Sequence, residues 1–534
     1  MHAPLEQQPA GGLTRWVVSH PRLTALALGA LAALGFPPLQ LWPVALLAMG
    51  GFVLLLRHAG GKRAAFMLGW LFGVAHYTVT NNWIATAFTF QAEMPAVLGW
   101  VAVPLLSLYL AVYPGLAALA AHRFARGRPA SAFILLLGAC WIAAEWLKSW
   151  VFTGYAWGPF SLALVGPFDR PGLAAVLPVI GTYALSGVAV VLAGFLVLLL
   201  AERRWRVFAL SAVLLAVGMY WPARSVPPGT LPVTLVQPDL RQEDIDDPAK
   251  FEQQFVRIAK LSLPREAGQR RLVLWPESAV PDYLRDGYPQ RYYDQLTAGG
   301  DPRFARGRIG EVIGPGSLLL TGAVDLQIAE ENGYRRAVGA YNAVSAIDAS
   351  GTIRANYYKA RLVPYGEYLA LRWLLEPLGA TRLVAGTLDF IPGPGPRTLD
   401  LGLWGEAGVQ ICYEIIFSGQ VVDPANRPEY LFNPSNDGWF GAWGPPQHLA
   451  QARMRATEEG LPVLRATTTG ISAIISADGV VRHHIGMHRA ERIDTLVPPA
   501  VAPTLFARLG HWLTLFWTVL FIAGSLVAMR KERR

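Results

Sequence analysis

The chain has 534 residues, of which 53% are hydrophobic and 16% are charged, and its formal net charge at pH 7 is +9. An ordinary soluble domain carries roughly 25% charged residues, so this composition excludes a purely soluble globular protein and indicates contact with lipid. The arginines cluster in short runs at the ends of apolar segments, which argues against nucleic-acid binding and is typical of membrane topology.

Eight apolar segments approach the length of about 20 residues that a helix needs to span a bilayer. The first could be mistaken for a signal peptide, but further apolar segments follow it instead of a cleavage site, so we treat it as retained. We predict spanning helices near 23–36, 39–56, 64–85, 95–121, 131–148, 174–200, 207–222 and 510–529.

Basic residues predict the orientation of these spans, because Lys and Arg in short loops stay on the cytoplasmic side. They follow the second, fourth, sixth and last segments, whereas residues 81–95 contain no Lys or Arg. Eight spans with both termini in the cytoplasm satisfy this alternation. We therefore expect a multi-pass membrane protein, with residues 223–509 outside the cytoplasm. The basic residues after the last segment are Arg530, Lys531, Arg533 and Arg534.

Three domains follow from this topology: a seven-span bundle over 1–222, an extracytoplasmic domain over 223–509, and a C-terminal spanning helix with a basic tail over 510–534. The middle part is long enough for one α/β domain. Its helical patterns fit 247–262 and 446–460, and its last strand closes on the hairpin turn Asp478-Gly479. Interleaved strands and helices predict an α/β sandwich. Strands are predicted at 232–237, 272–276, 317–323, 340–348, 407–412, 430–433, 462–467 and 471–476.

Two segments of the middle part place charged residues beside apolar ones. In LVLWPESA, Glu277 lies where a buried strand gives way to Trp and Pro, a poorly hydrated position that suits a general base. The alternative is a glutamate at a helix N-terminus or in a salt bridge. In YYKARLVPYGEY, Lys359 would stabilise a tetrahedral oxyanion, or it would form an ordinary ion pair with Glu367 or Asp348.

A third segment, GVQICYEIIF, runs from a strand pattern directly into Cys412. At such a strand-to-helix elbow we expect an exposed thiol, whose thiolate is favoured by the helix dipole and whose neighbouring N–H groups face the substrate. A buried structural cysteine is the alternative. The other cysteine, Cys140, lies in an apolar segment, so the sequence predicts no disulfide framework.

The order of WPES, YYKARLVPYGE and ICYE resembles the Glu-Lys-Cys triad of the carbon–nitrogen hydrolase (nitrilase) superfamily. With its flanking spans, the chain is similar over essentially its whole length to the apolipoprotein N-acyltransferases, the family that completes the triacylation of bacterial lipoproteins. The resemblance implies that residues 223–509 form a periplasmic catalytic domain with a nitrilase-like αββα sandwich, in a multi-pass protein of the bacterial inner membrane. It also implies that Glu277, Lys359 and Cys412 are catalytic, with Glu367, Tyr413, Glu414, Asn342 and Asn436 as supporting residues, the last of them in the motif NDGWFG.

One loop departs from the family pattern, because Pro238 and Asp239 follow Gln237 where we would expect Gly.

The resemblance further implies a ping-pong reaction in which Cys412 takes an acyl group from the sn-1 ester of a phospholipid and passes it to the α-amino group of a diacylglyceryl-cysteine lipoprotein. Lys359 and the Tyr413 N–H would bind the oxyanion, and Glu367 would hold Lys359. We expect neither a metal ion nor an organic cofactor, and a monomer.

Two alternatives stay open from the residues alone. A membrane-tethered amidase or nitrilase would use the same triad with water as the acceptor. A transporter or receptor would use ionisable residues inside the spans, such as His76, Glu145 and Lys148.

Two loops carry aromatic residues and are either lids dipping into the membrane interface or ordinary surface loops. These residues are Trp373, Trp439, Phe440 and Trp443.

Overall fold

The computed structural model describes residues 19–90, 95–378 and 388–531, so the end of the predicted basic tail, with Arg533 and Arg534, lies outside the described residues. Apolar helices occupy the N-terminal part and the C-terminus. Two β-sheets with flanking helices occupy the part between them.

Among the described residues, four helices are long and apolar enough to cross a membrane. The helix predicted at 174–200 begins at Thr182, because Gly181 with φ 78° separates it from the short helix Leu177–Ile180. Three shorter apolar helices are Pro21–Ala33, Trp42–Arg57 and Trp205–Met219, and Lys62–Thr80 is a further helix of 19 residues. The four long helices are Val97–Ala125, Ala130–Lys148, Thr182–Ala201 and His511–Lys531.

Small residues let these helices approach one another closely. A Cβ added at Gly69 would lie 2.6 Å from both the Ala118 Cβ and the Pro114 carbonyl oxygen, so only glycine fits between the two helices there. The apolar helices share one core that extends into the region beside the sheets, where Ala450 and Met454 join it.

Within the described residues, twelve strands form two six-stranded sheets. The first sheet has the order β12-β1-β2-β3-β4-β5 and the second has the order β11-β10-β9-β8-β7-β6. In each sheet the three strands that lead to the site are parallel, namely β1 to β3 and β7 to β9. The strands are β1 Pro232–Gln237, β2 Leu272–Leu274, β3 Leu318–Glu331, β4 Tyr334–Asp348, β5 Ile353–Tyr358, β6 Thr398–Asp400, β7 Glu406–Val409, β8 Tyr430–Ser435, β9 Val463–Thr467, β10 Ser472–Ile475, β11 Val481–Ile485 and β12 Glu491–Leu496.

The two sheets pack face to face, because alternate residues of their strands are apolar. Leu235 of β1 contributes to the core between the sheets, whereas its neighbour Val236 contributes to a separate core under the outer helices. The helices Phe251–Ser262, which we call the surface helix, and Pro302–Ile313 cover the first sheet. The helix Gly444–Glu459, which we call the joint helix, covers the second sheet and also contacts the apolar helices. This arrangement is the predicted αββα sandwich.

All eight predicted strands are present, and the turn at Asp478-Gly479 joins β10 to β11 as predicted. The strand predicted at 407–412 ends at Val409, because a 3₁₀ turn begins at Cys412. The predicted helices correspond to Phe251–Ser262 and Gly444–Glu459. The sequence did not predict the strands β5, β6, β11 and β12 or the helices Gln290–Leu296 and Pro302–Ile313.

Candidate active site

Glu277 follows β2 and connects the two sheets. Its Oε1 accepts a hydrogen bond from Asn342 Nδ2 of β4 at 2.7 Å, and its Oε2 accepts one from the Asn436 backbone N–H, beyond β8, at 2.7 Å. A Cβ on Gly322 of β3 would lie 2.6 Å from the Glu277 Cα, so the neighbouring strand has to carry glycine there. The carboxylate is buried and its position is fixed from both sheets.

Lys359 follows β5 and lies between two carboxylates. Its Nζ is 3.0 Å from Glu367 Oε1 and 3.5 Å from Glu277 Oε1, and the residue is 2% exposed. Burial alone would lower the pKa of Lys359, but Glu367 and Glu277 more than offset it, so the pKa is raised and the ammonium is charged. Asn342 Nδ2 also donates to Glu367, at 2.9 Å, and thereby joins all three side chains.

Cys412 begins the 3₁₀ turn Cys412–Ile416 and has a left-handed backbone with φ 49°. The expected exposure of the thiol is wrong, since Cys412 is 5% exposed. Burial raises the pKa of the Cys412 thiol, Glu277 raises it further, and Lys359 lowers it. The thiol is therefore protonated at rest, and a reaction at sulfur needs a base to take the proton.

Glu414 connects the Cys412 turn to the loop that carries Lys359. Its Oε2 accepts from the Ile411 N–H at 2.8 Å, and its Oε1 accepts from the N–H of Ala360 at 2.7 Å. Burial raises the pKa of Glu414 to about 7, against the opposing effect of these hydrogen bonds. Tyr357 O–H donates to the same Oε1 at 2.9 Å. Glu414 thus aligns the turn of one sheet with the loop of the other.

The two remaining supporting residues face different neighbours. Asn436, besides its N–H to Glu277, donates from Nδ2 to Gln242 Oε1 at 2.8 Å and accepts from Thr468 Oγ1 at 2.8 Å. Tyr413 turns its hydroxyl towards the apolar helices and donates to the Gly154 carbonyl at 3.4 Å.

The four aromatic residues predicted as lids differ in exposure. Trp373 is 75% exposed, and Trp439 and Trp443 are partly buried. Phe440 is buried, with its ring centroid 4.7 Å from that of Trp83, which lies beyond the helix Lys62–Thr80. The lid prediction is therefore wrong for Phe440, which is only 9% exposed and packs between the sheets and the apolar helices.

The loop after Gln237 adopts an unusual backbone. Asp239 has φ 53°, a left-handed conformation that favours glycine and that aspartate tolerates better than most residues. Its Oδ1 accepts a hydrogen bond from Thr469 Oγ1 at 2.6 Å. The loop conformation is thus compatible with the departure from the family motif.

Sequence reasoning missed a buried cluster behind Cys412, formed by Asp437, His448 and Arg465. Arg465 Nη2 donates to both Asp437 oxygens, and His448 contacts Asp437 at 3.0 Å. The three residues lie on a 3₁₀ helix, an α-helix and a strand, which are separate elements of the sequence. Only Asp437 belongs to a motif that the sequence singles out.

The site therefore combines a buried thiol, a carboxylate and a charged ammonium on a rigid frame. This set can take a proton from sulfur, form a covalent acyl intermediate and bind the oxyanion. Within residues 19–90, 95–378 and 388–531, no group of three or more His, Cys, Asp or Glu side chains is arranged to hold a metal ion.

Comparison with known proteins places this site in a family context. Residues 28–195 match the apolipoprotein N-acyltransferase N-terminal domain, and residues 233–484 match the carbon-nitrogen hydrolase domain. The apolipoprotein N-acyltransferase of Rhodopseudomonas palustris is 35% identical over 510 residues, which cover 91% of each chain. That of Bradyrhizobium diazoefficiens is 33% identical over 532 residues, covering 96% of this chain and 95% of the relative.

Among solved structures, an amidase from Nesterenkonia sp. AN1 is similar with a TM-score of 0.34 and 18% sequence identity. The match covers 55% of this chain and 98% of the amidase.

Proposed function

The chain belongs to the apolipoprotein N-acyltransferase family, and from this premise we propose that it transfers a fatty acyl group from the sn-1 position of a phospholipid to the α-amino group of a diacylglyceryl-cysteine lipoprotein. It is an acyltransferase of the carbon–nitrogen hydrolase superfamily. The observation that carries the proposal is the ammonium of Lys359, buried between Glu277 and Glu367 and acting on the Cys412 thiol.

In the first half of the reaction, Glu277 takes the thiol proton as the Cys412 sulfur attacks the ester carbonyl carbon. The tetrahedral oxyanion lies against Lys359 and the Tyr413 N–H. When it collapses, the ester C–O bond breaks and the lysophospholipid alkoxide leaves with the proton from Glu277. A thioester remains on Cys412.

In the second half, the α-amino group of the lipoprotein attacks the thioester carbonyl and Glu277 accepts its proton. The C–S bond breaks, the thiol regains its proton, and the amide is released. Glu367 and Asn342 keep Lys359 charged and in place through both halves. Because the thiol is protonated at rest, the chemistry starts only when a substrate carbonyl lies within reach of sulfur.

We place the catalytic domain, residues 223–509, in the periplasm, with eight spans and both termini in the cytoplasm. The alternation of basic junctions supports this topology. The contacts between the bundle and the domain also support it. On the bundle side they are made by Thr80, Trp83 and Trp157, which lie at junctions that lack the basic runs. The placement also lets both lipid substrates keep their acyl chains in the bilayer.

A reporter fused at Gly287 tests the topology. Gly287 has φ 92° and open space around it, so an insertion there disturbs little. We expect a reporter that works only in the periplasm to be active. Activity of a cytoplasm-specific reporter instead would contradict the topology and place the lipoprotein substrate out of reach.

The central test is an acylation measurement in detergent with phospholipid and without lipoprotein. A ping-pong route completes its first half alone, so we expect one fatty-acyl mass on the peptide that contains Cys412, released by neutral hydroxylamine. Adding a diacylated lipopeptide should empty the enzyme and produce a triacylated peptide.

Variants make this test specific. Cys412→Ala must lack the adduct, and Cys412→Ser should lack it or form it very slowly, because a hydroxyl is far less acidic than a thiol. Glu277→Gln should fail because it offers no proton acceptor, whereas Cys140→Ala should acylate normally. Acylation only after lipopeptide is added would rule out the covalent mechanism. Hydrolysis of small soluble amides without transfer would identify an amidase instead.

A further inference from the structure

His448 connects the joint helix to the catalytic turn. Its side chain is fully buried, and its Nε2 is 3.0 Å from the carbonyl oxygen of Cys412. A carbonyl oxygen can only accept, so Nε2 carries the hydrogen and donates it. The side chain of Asn433 also reaches this oxygen, but at 3.4 Å.

The other ring nitrogen faces two charged groups. His448 Nδ1 lies 3.0 Å from Arg465 Nη2 and 3.0 Å from Asp437 Oδ1. Burial and the charge of Arg465 lower the pKa of His448 more than Asp437 raises it, so the ring is neutral and Nδ1 accepts from Arg465. The rings of Trp157 and Phe440 cover the remaining surface, with centroid distances of 5.2 and 5.7 Å.

The oxygen that His448 holds belongs to the same peptide unit as the N–H of Tyr413. That unit is planar and rigid, so fixing its oxygen fixes the direction of its N–H. The Tyr413 N–H lies in the first turn of a 3₁₀ helix, where amides have no intrahelical acceptor and remain available to a substrate. A hydrogen bond to the oxygen also polarises the amide and strengthens its N–H as a donor.

The backbone of Cys412 needs such a restraint. Its φ of 49° is left-handed, which a residue with a side chain adopts only when its surroundings enforce it. His448 is oriented by Arg465, which Asp437 holds in turn through both of its oxygens at 2.8 and 2.7 Å. The chain of contacts thus runs from the ion pair to the ring and from the ring to the catalytic peptide.

We infer that His448 is a positioning residue for the oxyanion, which aims and strengthens the Tyr413 N–H by holding the Cys412 carbonyl. This inference rests on the proposed function, because the oxyanion it serves forms only in acyl transfer at Cys412. It also makes the joint helix part of the catalytic apparatus.

Two reactions at the same sulfur test the inference on the full-length protein in detergent. Single-turnover acylation by phospholipid forms an oxyanion. Alkylation by iodoacetamide joins sulfur to a saturated carbon with loss of iodide and forms none. For His448→Leu we expect acylation to slow by about 10- to 100-fold, less than the loss of an oxyanion donor itself, while alkylation stays within about two-fold of wild type.

Two further variants complete the set. The amide nitrogen of His448→Gln reaches the position of Nε2, so this variant should recover much of the acylation rate. Thr457→Val is the matched control, because Thr457 is buried in the same helix and donates only to the Arg453 carbonyl at 2.9 Å. It should acylate at the wild-type rate.

Three outcomes would overturn the inference. Acylation by His448→Leu at the wild-type rate is the first, and an equal loss of acylation and alkylation, which indicates a general distortion of the turn, is the second. The third applies if His448→Leu fails to fold. His448→Asn then replaces it, because the asparagine amide reaches the position of Nδ1 and not that of Nε2. Equal acylation rates for His448→Asn and His448→Gln would overturn the inference. A wild-type protein that is not acylated at Cys412 would contradict the proposed function itself.

Discussion

The two sheets are covered by helices of opposite character. In the surface helix, Phe251–Ser262, only Gln254, Ile258 and Ser262 are buried, so most of its residues face water. In the joint helix, Gly444–Glu459, every residue except Pro446 is buried, although the helix contains four charged and two amide side chains. One outer layer of the sandwich is therefore a surface, and the other lies in the interior of the protein.

Several buried polar residues of the joint helix find hydrogen-bond partners in the membrane part. Gln447 Oε1 accepts from Trp157 Nε1 at 2.9 Å, and Gln447 Nε2 donates to the Thr80 carbonyl at 3.1 Å. Glu458 Oε1 accepts from the Thr182 N–H at 2.6 Å. The apolar helices thus do more than anchor the domain, because they complete the layer that supports the Cys412 turn.

The same division applies to the site. Glu277 and Lys359 belong to the first sheet, and the side chains that hold them come from that sheet and its loops, with one backbone N–H from the second. Cys412 belongs to the second sheet, and its carbonyl is held by the joint helix. Glu277 and Lys359 are fixed within the domain, whereas Cys412 is coupled through the joint helix to the apolar helices.

The largest effect should follow from removing the cation of the first sheet. Lys359→Met keeps much of the side-chain volume, and Asn342 still donates to Glu277 and Glu367, so we expect the protein to fold. Acyl transfer should fall by at least about 100- to 1000-fold, the typical cost of losing an oxyanion donor. Lys260→Met on the surface helix is the matched control and should be fully active. Wild-type turnover by Lys359→Met would reduce Lys359 to a structural ion pair.

The second effect should distinguish the two helices by how much a substitution in each lowers the stability of the protein. Arg453 of the joint helix donates to the carbonyls of Gly166, Pro167, Arg170 and Gly479, each at 2.7 Å. Arg453→Met removes all four hydrogen bonds and leaves the carbonyls of the buried residues Gly166 and Gly479 without this donor, which should cost about 3 kcal/mol or more. We expect a clear fall in the midpoint of thermal unfolding in detergent.

The control for Arg453 is Arg257→Met on the surface helix. Arg257 also donates to a carbonyl, that of Asp239 at 2.9 Å, but it is exposed and water can replace it. Its loss should change the stability by no more than about 0.5 kcal/mol. Similar losses for the two variants would mean that water reaches the joint helix, and the contrast between the layers would disappear.

The strands and motifs of the sandwich were predictable because they carry strong local signals. The parallel strands β1, β2, β7, β8 and β9 are short apolar runs, and the motifs that contain Glu277 and Cys412 follow such runs, whereas the Lys359 motif follows β5, which the sequence did not predict. The strands β11 and β12, with sequences VRHHI and ERIDTL, are polar strands at sheet edges, and their pairing comes from tertiary contacts that no local pattern shows.

The burial of the joint helix could not be predicted for a related reason. Its sequence, GPPQHLAQARMRATEE, has the composition of an exposed helix, and only the partners from distant loops explain its position. The same applies to His448 and to Phe440, which the sequence offered as an exposed lid. Residues whose contacts lie in a distant part of the chain produce little periodic pattern in the sequence around them.

The smallest effect concerns a carboxylate at the end of the joint helix. Glu459 is 4% exposed, and burial raises its pKa from 4.5 to about 7, with Glu458 adding to the shift and Arg455 opposing it. Between these two pH values the folded protein holds a proton that the unfolded chain has released, so unfolding releases it and stability falls as pH rises from about 4.5 to about 7. Above that range this loss of stability is complete.

Glu459→Gln cannot ionise, so it avoids this loss. At pH 8 we expect it to unfold at a higher temperature than wild type, by an amount equivalent to about 1–3 kcal/mol, and at pH 4.5 we expect the two proteins to unfold at a similar temperature. Glu252→Gln on the surface helix is the control, since that side chain is 68% exposed and its ion pair with Arg308 lies at the surface, so the substitution should change the unfolding temperature far less. If the curves of Glu459→Gln and wild type ran parallel across this pH range, Glu459 would be solvated in the folded protein, and the joint helix would end at a surface as the surface helix does.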